Sequence, residues 1–369
     1  MKILLVIGSA HGGGAQRQWL MLAGGLMKHG HEVTLATLAD RRCPELDTLV
    51  AEGLDWRVLG TVRRGATGRL RKLIDELEPT AIYSALWMTN LVAWRALRKG
   101  GSERLVWGIR SSGGFLSTYQ RLTRRLCSLL SSRVPLAISN SEAGRRAAAE
   151  LGFRPGTFVV VANGFDTDFF APDHEQRITF RATHELGPNT ALIGCVARLE
   201  RTKDHAGLLK AFAELPERHQ AGRLVLAGDG PLLSEIEQLA TDLGIRERVL
   251  MLGQVSDPRS IYNALDVHVL NSIAEGTPNA VGEAMACGIA CIATDVGDCR
   301  RLLGDNGHLV PSGDTAALTE AMSKLLDDPQ QRAELGKSGR ERIGAEFSVD
   351  DLTKATVAAF EKYLVADQT

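Results

Sequence analysis

The feature that most constrains the fold is an alternation that runs through the chain twice. The sequence opens with "KILLVI", a run of apolar and β-branched residues, and passes through "GSAHGGGAQRQW" into Trp19, Leu20, Leu22, Ala23 and Leu26, which recur at helical spacing. That predicts a buried strand, a glycine loop and a helix. "HEVTLATL", "AIYSAL", "RLVWGI" and "LAISNS" read as further strands, each parted from the next by a helix-period stretch. The pattern pauses at "TFVVVANGFDTDFFAPDHEQR", where a strand runs into turn residues and then a polar stretch. It restarts with "ALIGCVARL", "RLVLAGDGP", "VLMLGQV", "VHVLNS", "ACIATDVG" and "GHLVPSG", with helices predicted from about Gly207, from about Leu232, near Ile261 and from about Ala280. Strands alternating with helices make parallel sheets covered on both faces. The expected fold class is therefore α/β, with two doubly wound domains joined near residues 164–175. A chain of 369 residues, 44% hydrophobic, is long enough for two cores of ordinary size.

In open parallel sheets ligands gather beyond the carboxyl ends of the strands, so the loops after strands are where function is sought. "GSAHGGGAQR" follows the first strand and opens a helix, whose N-terminus offers amides and partial positive charge to a phosphate. Its spacing is not that of a dinucleotide fingerprint, and a tight turn explains it equally well. "CVARLERTKDHAGLLKAF" places Arg198 at the end of a strand and Lys203 five residues later at the mouth of a helix. Two cations there can hold a diphosphate, the guanidinium gripping two oxygens and the ammonium acting as a point charge; taken singly, both also read as solvated surface cations. In "NSIAEGTPNAVGEAMACGIACIATDVGD", Glu275 lies in a loop after a strand and Glu283 about one turn inside the helix that follows. With Pro278 in the first turn, the backbone amides of Thr277, Pro278's neighbour Asn279, and Ala280 are candidate anion donors. A carboxylate that accepts two hydroxyl protons is how proteins hold sugar diols. Cations for phosphates and acids for hydroxyls describe a nucleotide sugar.

These pieces resemble glycosyltransferase family 4, the retaining nucleotide-sugar transferases of the GT-B architecture. The resemblance rests on "GGGAQR", "NGFDTDFF", "ARLERTK", "LVLAGDGP", "MLGQV", the E-x7-E pair Glu275 and Glu283, and "GEAMACGIACIATDVGD", and it covers nearly the whole chain. It implies two Rossmann-like domains facing a central cleft. An acceptor-binding domain would span 1–165 with a C-terminal helix (about 350–369) crossing back to it, and a donor-binding domain would span 166–349. The resemblance makes Arg198 and Lys203 the clamp on the donor diphosphate, sets Glu275 against the transferred sugar and Glu283 against the ribose. Backbone from Thr277 and Pro278 to Asn279 and Ala280 would help at the distal phosphate or sugar. Gly13 and Gly14 would approach the phosphate from the other domain, and Gly253 and Val255 of "LGQV" would border the base. It further implies a UDP-sugar donor, retention, domain closure with hinges near Asn163–Gly164 and before the last helix, and no bound metal or other cofactor. No suitably placed DxD motif or His/Cys cluster stands in the sequence.

Two departures bear on the acceptor and on the loop. Asp204 and His205 follow Lys203 where many relatives have glycine, and Asp204 is a candidate N-cap. Where many relatives place a histidine near the acceptor, this chain reads "WGIRSSGG", so Arg110 and Ser111, with His11 as the other candidate, would meet an acceptor phosphate or carboxylate; loop packing accounts for these residues as well.

Charge is needed to choose the acceptor class. Of 43 lysines and arginines and 44 acids, residues 1–165 hold 23 and 12, leaving 20 and 32 for the remainder, so the first half carries about +11 and the second about −12. A basic half suits an anionic partner, and no nucleic-acid module accompanies it. In "FLSTYQRLTRRLCSLLSSRV", Leu116, Tyr119, Leu122, Leu126, Leu129 and Leu130 recur at steps of three and four, with Arg121, Arg124, Arg125 and Arg133 elsewhere. The leucines are expected to pack into the domain core with the arginines turned toward an anionic leaflet, and a helix lying with its leucines on the leaflet is the alternative. The six cysteines include no CxxC pair and read as small buried hydrophobes in a reducing compartment. No stretch approaches the roughly 20 apolar residues of a membrane span, and the opening apolar run is too short for a signal peptide. The expectation is a cytoplasmic enzyme, peripheral on the inner face of the membrane, that moves a hexose or N-acetylhexosamine to a lipid-linked saccharide. The same donor chemistry on a small soluble hydroxy acid or polyol phosphate, or an inactive nucleotide-sugar-binding protein, are the alternatives.

Overall fold

The computed structural model of the chain describes residues 1–11, 13–62, 65–97, 100–110 and 117–365. It divides into two compact units, Met1–Gly164 with the segment from Val349 onward, and Phe165–Ser348.

The first unit is built on seven parallel strands: β1 (Lys2–Ile7), β2 (Glu32–Thr37), β3 (Asp55–Val58), β4 (Ala81–Ala85), β5 (Leu105–Ile109), β6 (Leu136–Ser139) and β7 (Thr157–Val160), in spatial order β3-β2-β1-β4-β5-β6-β7. β1 is apolar at nearly every position because it is buried on both faces: Ile3, Leu5 and Ile7 enter one core cluster, and Leu4 and Val6 enter the cluster on the other side. β3 was not foreseen. Its sequence, Asp-Trp-Arg-Val, has no apolar run, because an edge strand is half exposed, and Asp55 and Arg57 pair at 2.6 Å along its exposed side.

The second unit carries six parallel strands: β8 (Leu192–Val196), β9 (Arg223–Ala227), β10 (Val249–Gly253), β11 (Val267–Leu270), β12 (Ala290–Thr294) and β13 (His308–Val310), in order β10-β9-β8-β11-β12-β13. Counted within its own unit, this order repeats that of the first six strands. In both sheets the winding reverses between the first and fourth strands, at β1/β4 and at β8/β11. The loops that part at these two points are where a doubly wound sheet opens to a ligand.

The chain leaves the first unit at Gly164, whose carbonyl and amide are both bound by the buried Gln18 amide, at 2.7 and 3.0 Å. It returns as the helix Val349–Phe360, which packs on the helix Gly14–Lys28, with His29 Nε2 and Asp350 Oδ1 2.7 Å apart. The helix Thr118–Leu130 corrects the expectation of inward leucines: Tyr119, Leu122, Leu126 and Leu129 are exposed, while Thr123 and Cys127 form its buried line. Hydrophobic periodicity marks a face but not which way it turns. Leu116 lies outside the described residues. Cys127, Cys195, Cys287, Cys291 and Cys299 are buried and Cys43 half-buried, all with free thiols.

Two buried histidines carry a pH consequence. His268 on β11 is fully buried with no partner on either ring nitrogen, and burial lowers its pKa to about 3. His205 is lowered to about 4 by burial and then by the charge of Lys203. The unfolded chain takes up these protons near pH 6.5 and the folded chain resists them. The stability they contribute is therefore whole above about pH 6.5 and is lost as pH falls toward 4 and 3, at up to about 1.4 kcal/mol per pH unit for each group. Denaturant melts of His268→Leu between about pH 4 and 6 should show a pH slope shallower than wild type by one group's worth; an unchanged slope would show that His268 titrates normally.

Candidate functional site

The β8 and β11 loops meet at the reversal of the second sheet. After β8 the chain passes Arg198, makes a short 3-10 turn over Arg201–Lys203, and enters the helix His205–Ala213. Gly228, at the end of β9, presses on this loop: a Cβ there would stand 1.9 Å from the Ala197 carbonyl oxygen, so only glycine admits the approach. Asp204 has φ of 41°, in the left-handed region that glycine adopts most readily. Its side chain compensates by capping the helix, accepting from the Gly207 amide at 3.1 Å.

Across the reversal, β11 ends at Leu270 and runs directly into Asn271 and Ser272. The Asn271 amide donates to the Asp204 carbonyl and carboxylate, both at 3.0 Å, and the Ile273 amide donates to the Thr202 carbonyl at 2.9 Å. These bonds tie the two loops into one body. They bring Lys203 Nζ to 2.5 Å from Glu275 Oε1, which also accepts from the Ser272 hydroxyl at 2.6 Å. The Glu275 side chain is 9% exposed and that of Lys203 21%, so the pair is largely withdrawn from water while its outer edge remains open to a ligand. Gly297 after β12 closes the loop from behind, since a Cβ there would lie 2.3 Å from the Glu275 carbonyl oxygen.

The remaining candidates of this unit lie along the same carboxyl edge. Arg198 is exposed, its Nε 3.9 Å from Glu200 Oε2, a separation that water screens. Glu283 is buried in the helix Asn279–Ala286, and its Oε2 accepts from the Tyr262 hydroxyl at 2.9 Å. Pro278 stands at the N-cap in extended conformation, one residue before the first turn where spacing placed it. Thr277, Asn279 and Ala280 are half-buried around this helix start. Gly253 ends β10 with φ of 66° and accepts from the Gly228 amide at 2.7 Å; Val255 follows, half-buried.

In the first unit, His11 is exposed in the loop after β1, its amide donating to Ser9 Oγ at 3.1 Å. Gly13 is the N-cap of the helix that Gly14 opens, and a Cβ on it would meet nothing closer than 3.8 Å. Arg110 is half-buried, lies over the Trp19 ring at 4.9 Å and donates to Asn163 Oδ1 at 2.7 Å. Ser111 lies outside the described residues. Sequence reasoning missed Ser272, Asn271 and Tyr262. The first two had a visible signal, being polar residues that end a buried strand, but their partners are set by three-dimensional register.

Two family models match the chain: that described as "Glycosyltransferase Family 4" over residues 12–169, and that described as "Glycosyl transferases group 1" over residues 176–342. The chain belongs to glycosyltransferase family 4. The Bacillus subtilis protein EpsF is 36% identical over 172 residues, a stretch spanning 47% of this chain and 44% of that protein. The GDP-mannose-dependent alpha-(1-6)-phosphatidylinositol monomannoside mannosyltransferase of Mycolicibacterium smegmatis is 28% identical over 287 residues, 74% of each chain. Among solved structures, Anabaena Alr3699/HepE in complex with UDP-glucose superposes with a TM-score of 0.84 over 98% of this chain and 100% of that one; at 22% identity the likeness is one of fold. The two Rossmann-like units are those of a family 4 transferase, a protein that moves a glycosyl group.

The Lys203–Glu275 pair can be tested as a pair. Lys203→Met should destabilise the protein by about 2 kcal/mol, less than the ~3–5 of a fully buried pair because water reaches the ammonium. Adding Glu275→Gln should restore most of that loss, because no uncompensated charge remains. Urea denaturation of the two single variants and the double variant measures the coupling; strictly additive losses would contradict the contact.

Proposed function

We propose that this transferase moves a hexose or N-acetylhexosamine from a UDP-sugar, with retention and without a metal ion, to a lipid-linked saccharide at the inner face of the cytoplasmic membrane, in the assembly of a cell-surface polysaccharide. The observation that carries the reading is the Lys203–Glu275–Ser272 contact at the sheet reversal. An ammonium has three donors, so Lys203 can keep Glu275 and still bind a phosphate oxygen. Arg198, exposed on the same loop after β8, can grip the same diphosphate in a fork. As the bond from the anomeric carbon to the diphosphate breaks, charge grows on the leaving oxygen and these two cations stabilise it. The acceptor oxygen bonds to the same face of that carbon, and its proton passes to a donor phosphate oxygen. Glu275 Oε1 is held by an ammonium and a hydroxyl, which suits a carboxylate that orients sugar hydroxyls rather than one that bonds to carbon. Glu283 is assigned to the ribose, and Arg110 and His11 to the acceptor.

HepE is described with UDP-glucose and the mycobacterial relative by GDP-mannose, so the base is the point to test. Incubation with radiolabelled UDP-glucose, UDP-N-acetylglucosamine and GDP-mannose and a bacterial lipid extract should give labelled lipid from a UDP-sugar, undiminished by EDTA. Arg198→Ala should lower the rate by ~10²–10³. Label from GDP-mannose alone would overturn the donor, a small water-soluble product would overturn the acceptor, and no product at all would overturn the activity.

A further inference from the structure

The helix Thr118–Leu130 presents to solvent a stripe that transfer chemistry does not use. Tyr119, Leu122, Leu126 and Leu129 are 60, 57, 41 and 70% exposed, and at about 100° per residue they fall within an arc of about 80°. They are four of the ten large apolar side chains that stand exposed among the described residues, gathered on one helix of thirteen residues. The rotation of the helix is fixed from its other side: Thr123 and Cys127 are buried, and Cys127 Sγ donates to the Trp87 carbonyl at 3.2 Å at the start of the helix Trp87–Leu97. A Ser117 capping box with Gln120 holds its first turn. Next to the apolar stripe come exposed Arg121 and Arg125 and half-buried Arg124, with exposed Arg133 just past the helix end, and the helix has no acid.

We infer that this face is a docking surface for an anionic phospholipid leaflet, with the four apolar side chains entering the acyl boundary and the arginines meeting headgroup phosphates. The charge decides the occupant. An apolar stripe alone would serve any apolar partner, but a row of one sign beside it matches a surface of the opposite sign. A second copy of this chain, brought up by a two-fold contact, would set each arginine row near its own duplicate. The surrounding half of the chain carries the same positive excess, and no described helix is long and apolar enough to cross a membrane. Docking therefore lies in the interface plane. The inference builds on the membrane-side location proposed above but not on transfer chemistry, so it is tested with neither donor nor acceptor present.

The test is flotation of the full chain with vesicles of phosphatidylcholine alone and of equal parts phosphatidylcholine and phosphatidylglycerol. Two double variants, Leu122→Gln with Leu126→Gln and Arg121→Gln with Arg125→Gln, change exposed side chains, and thermal melts check that both remain folded. The wild type should float with the mixed vesicles and not with the neutral ones, and added salt should weaken it. Each variant should partition about tenfold less. No flotation of the wild type, equal flotation of the variants, or a wild-type dimer in sedimentation equilibrium that the leucine variant dissolves would each overturn the docking surface. Loss of transfer with flotation intact would overturn only the proposed function.

Discussion

One contact governs the second unit: an ammonium from the β8 loop set against a carboxylate from the β11 loop, at the place where the sheet reverses its winding. Parallel strands that wind outward from a common centre leave their first and fourth loops diverging, and the gap between them is the natural opening of such a sheet. Here that gap is spanned by Lys203 and Glu275 at 2.5 Å. Neither side chain would keep its place alone, because a charge withdrawn from water needs a partner. Together they form a small polar floor at the opening of the sheet.

The rest of the site serves that floor. Asn271 joins Asp204 to β11, Ser272 orients the carboxylate, and the close approaches at Gly228 and Gly297 press neighbouring loops against it. Asp204 accepts a left-handed backbone, a conformation that costs about 1 kcal/mol or more in a residue with a side chain, and offsets part of that through its helix cap and its bonds from Asn271. Rigid placement of this kind suits the glycosyl transfer proposed above, in which charge grows on a departing diphosphate and preorganised charge is worth more than charge that must be gathered during the reaction. His205, behind Lys203, stays neutral at ordinary pH because burial and the adjacent ammonium both oppose its protonation, so it adds no charge to the floor.

Much of this was legible in the sequence for a physical reason: strands buried on both faces must be apolar throughout, so β1, β8 and β12 announce themselves. The edge strand β3 did not, since half its surface meets water. The helix Thr118–Leu130 showed its stripe but not the stripe's direction, because period fixes which residues share a face and only tertiary contact, here through Thr123 and Cys127, fixes where the face turns. At the site, Lys203 and Glu275 could each be placed after a strand, but their meeting across 72 positions follows from the strand order β8-β11, which alternation alone does not reveal. Asn271 and Ser272 escaped for the same reason. Their work is to hold other residues, and a holding role has no signature of its own.

The central claim is that a nucleotide diphosphate seats on this floor. Amide hydrogen exchange of the protein with and without UDP addresses it most directly, because it reports where binding occurs without a substitution. The account predicts slowed exchange confined mainly to residues 198–203 and 275–283. Protection elsewhere in the second unit, with these two segments unchanged at saturating UDP, would contradict it.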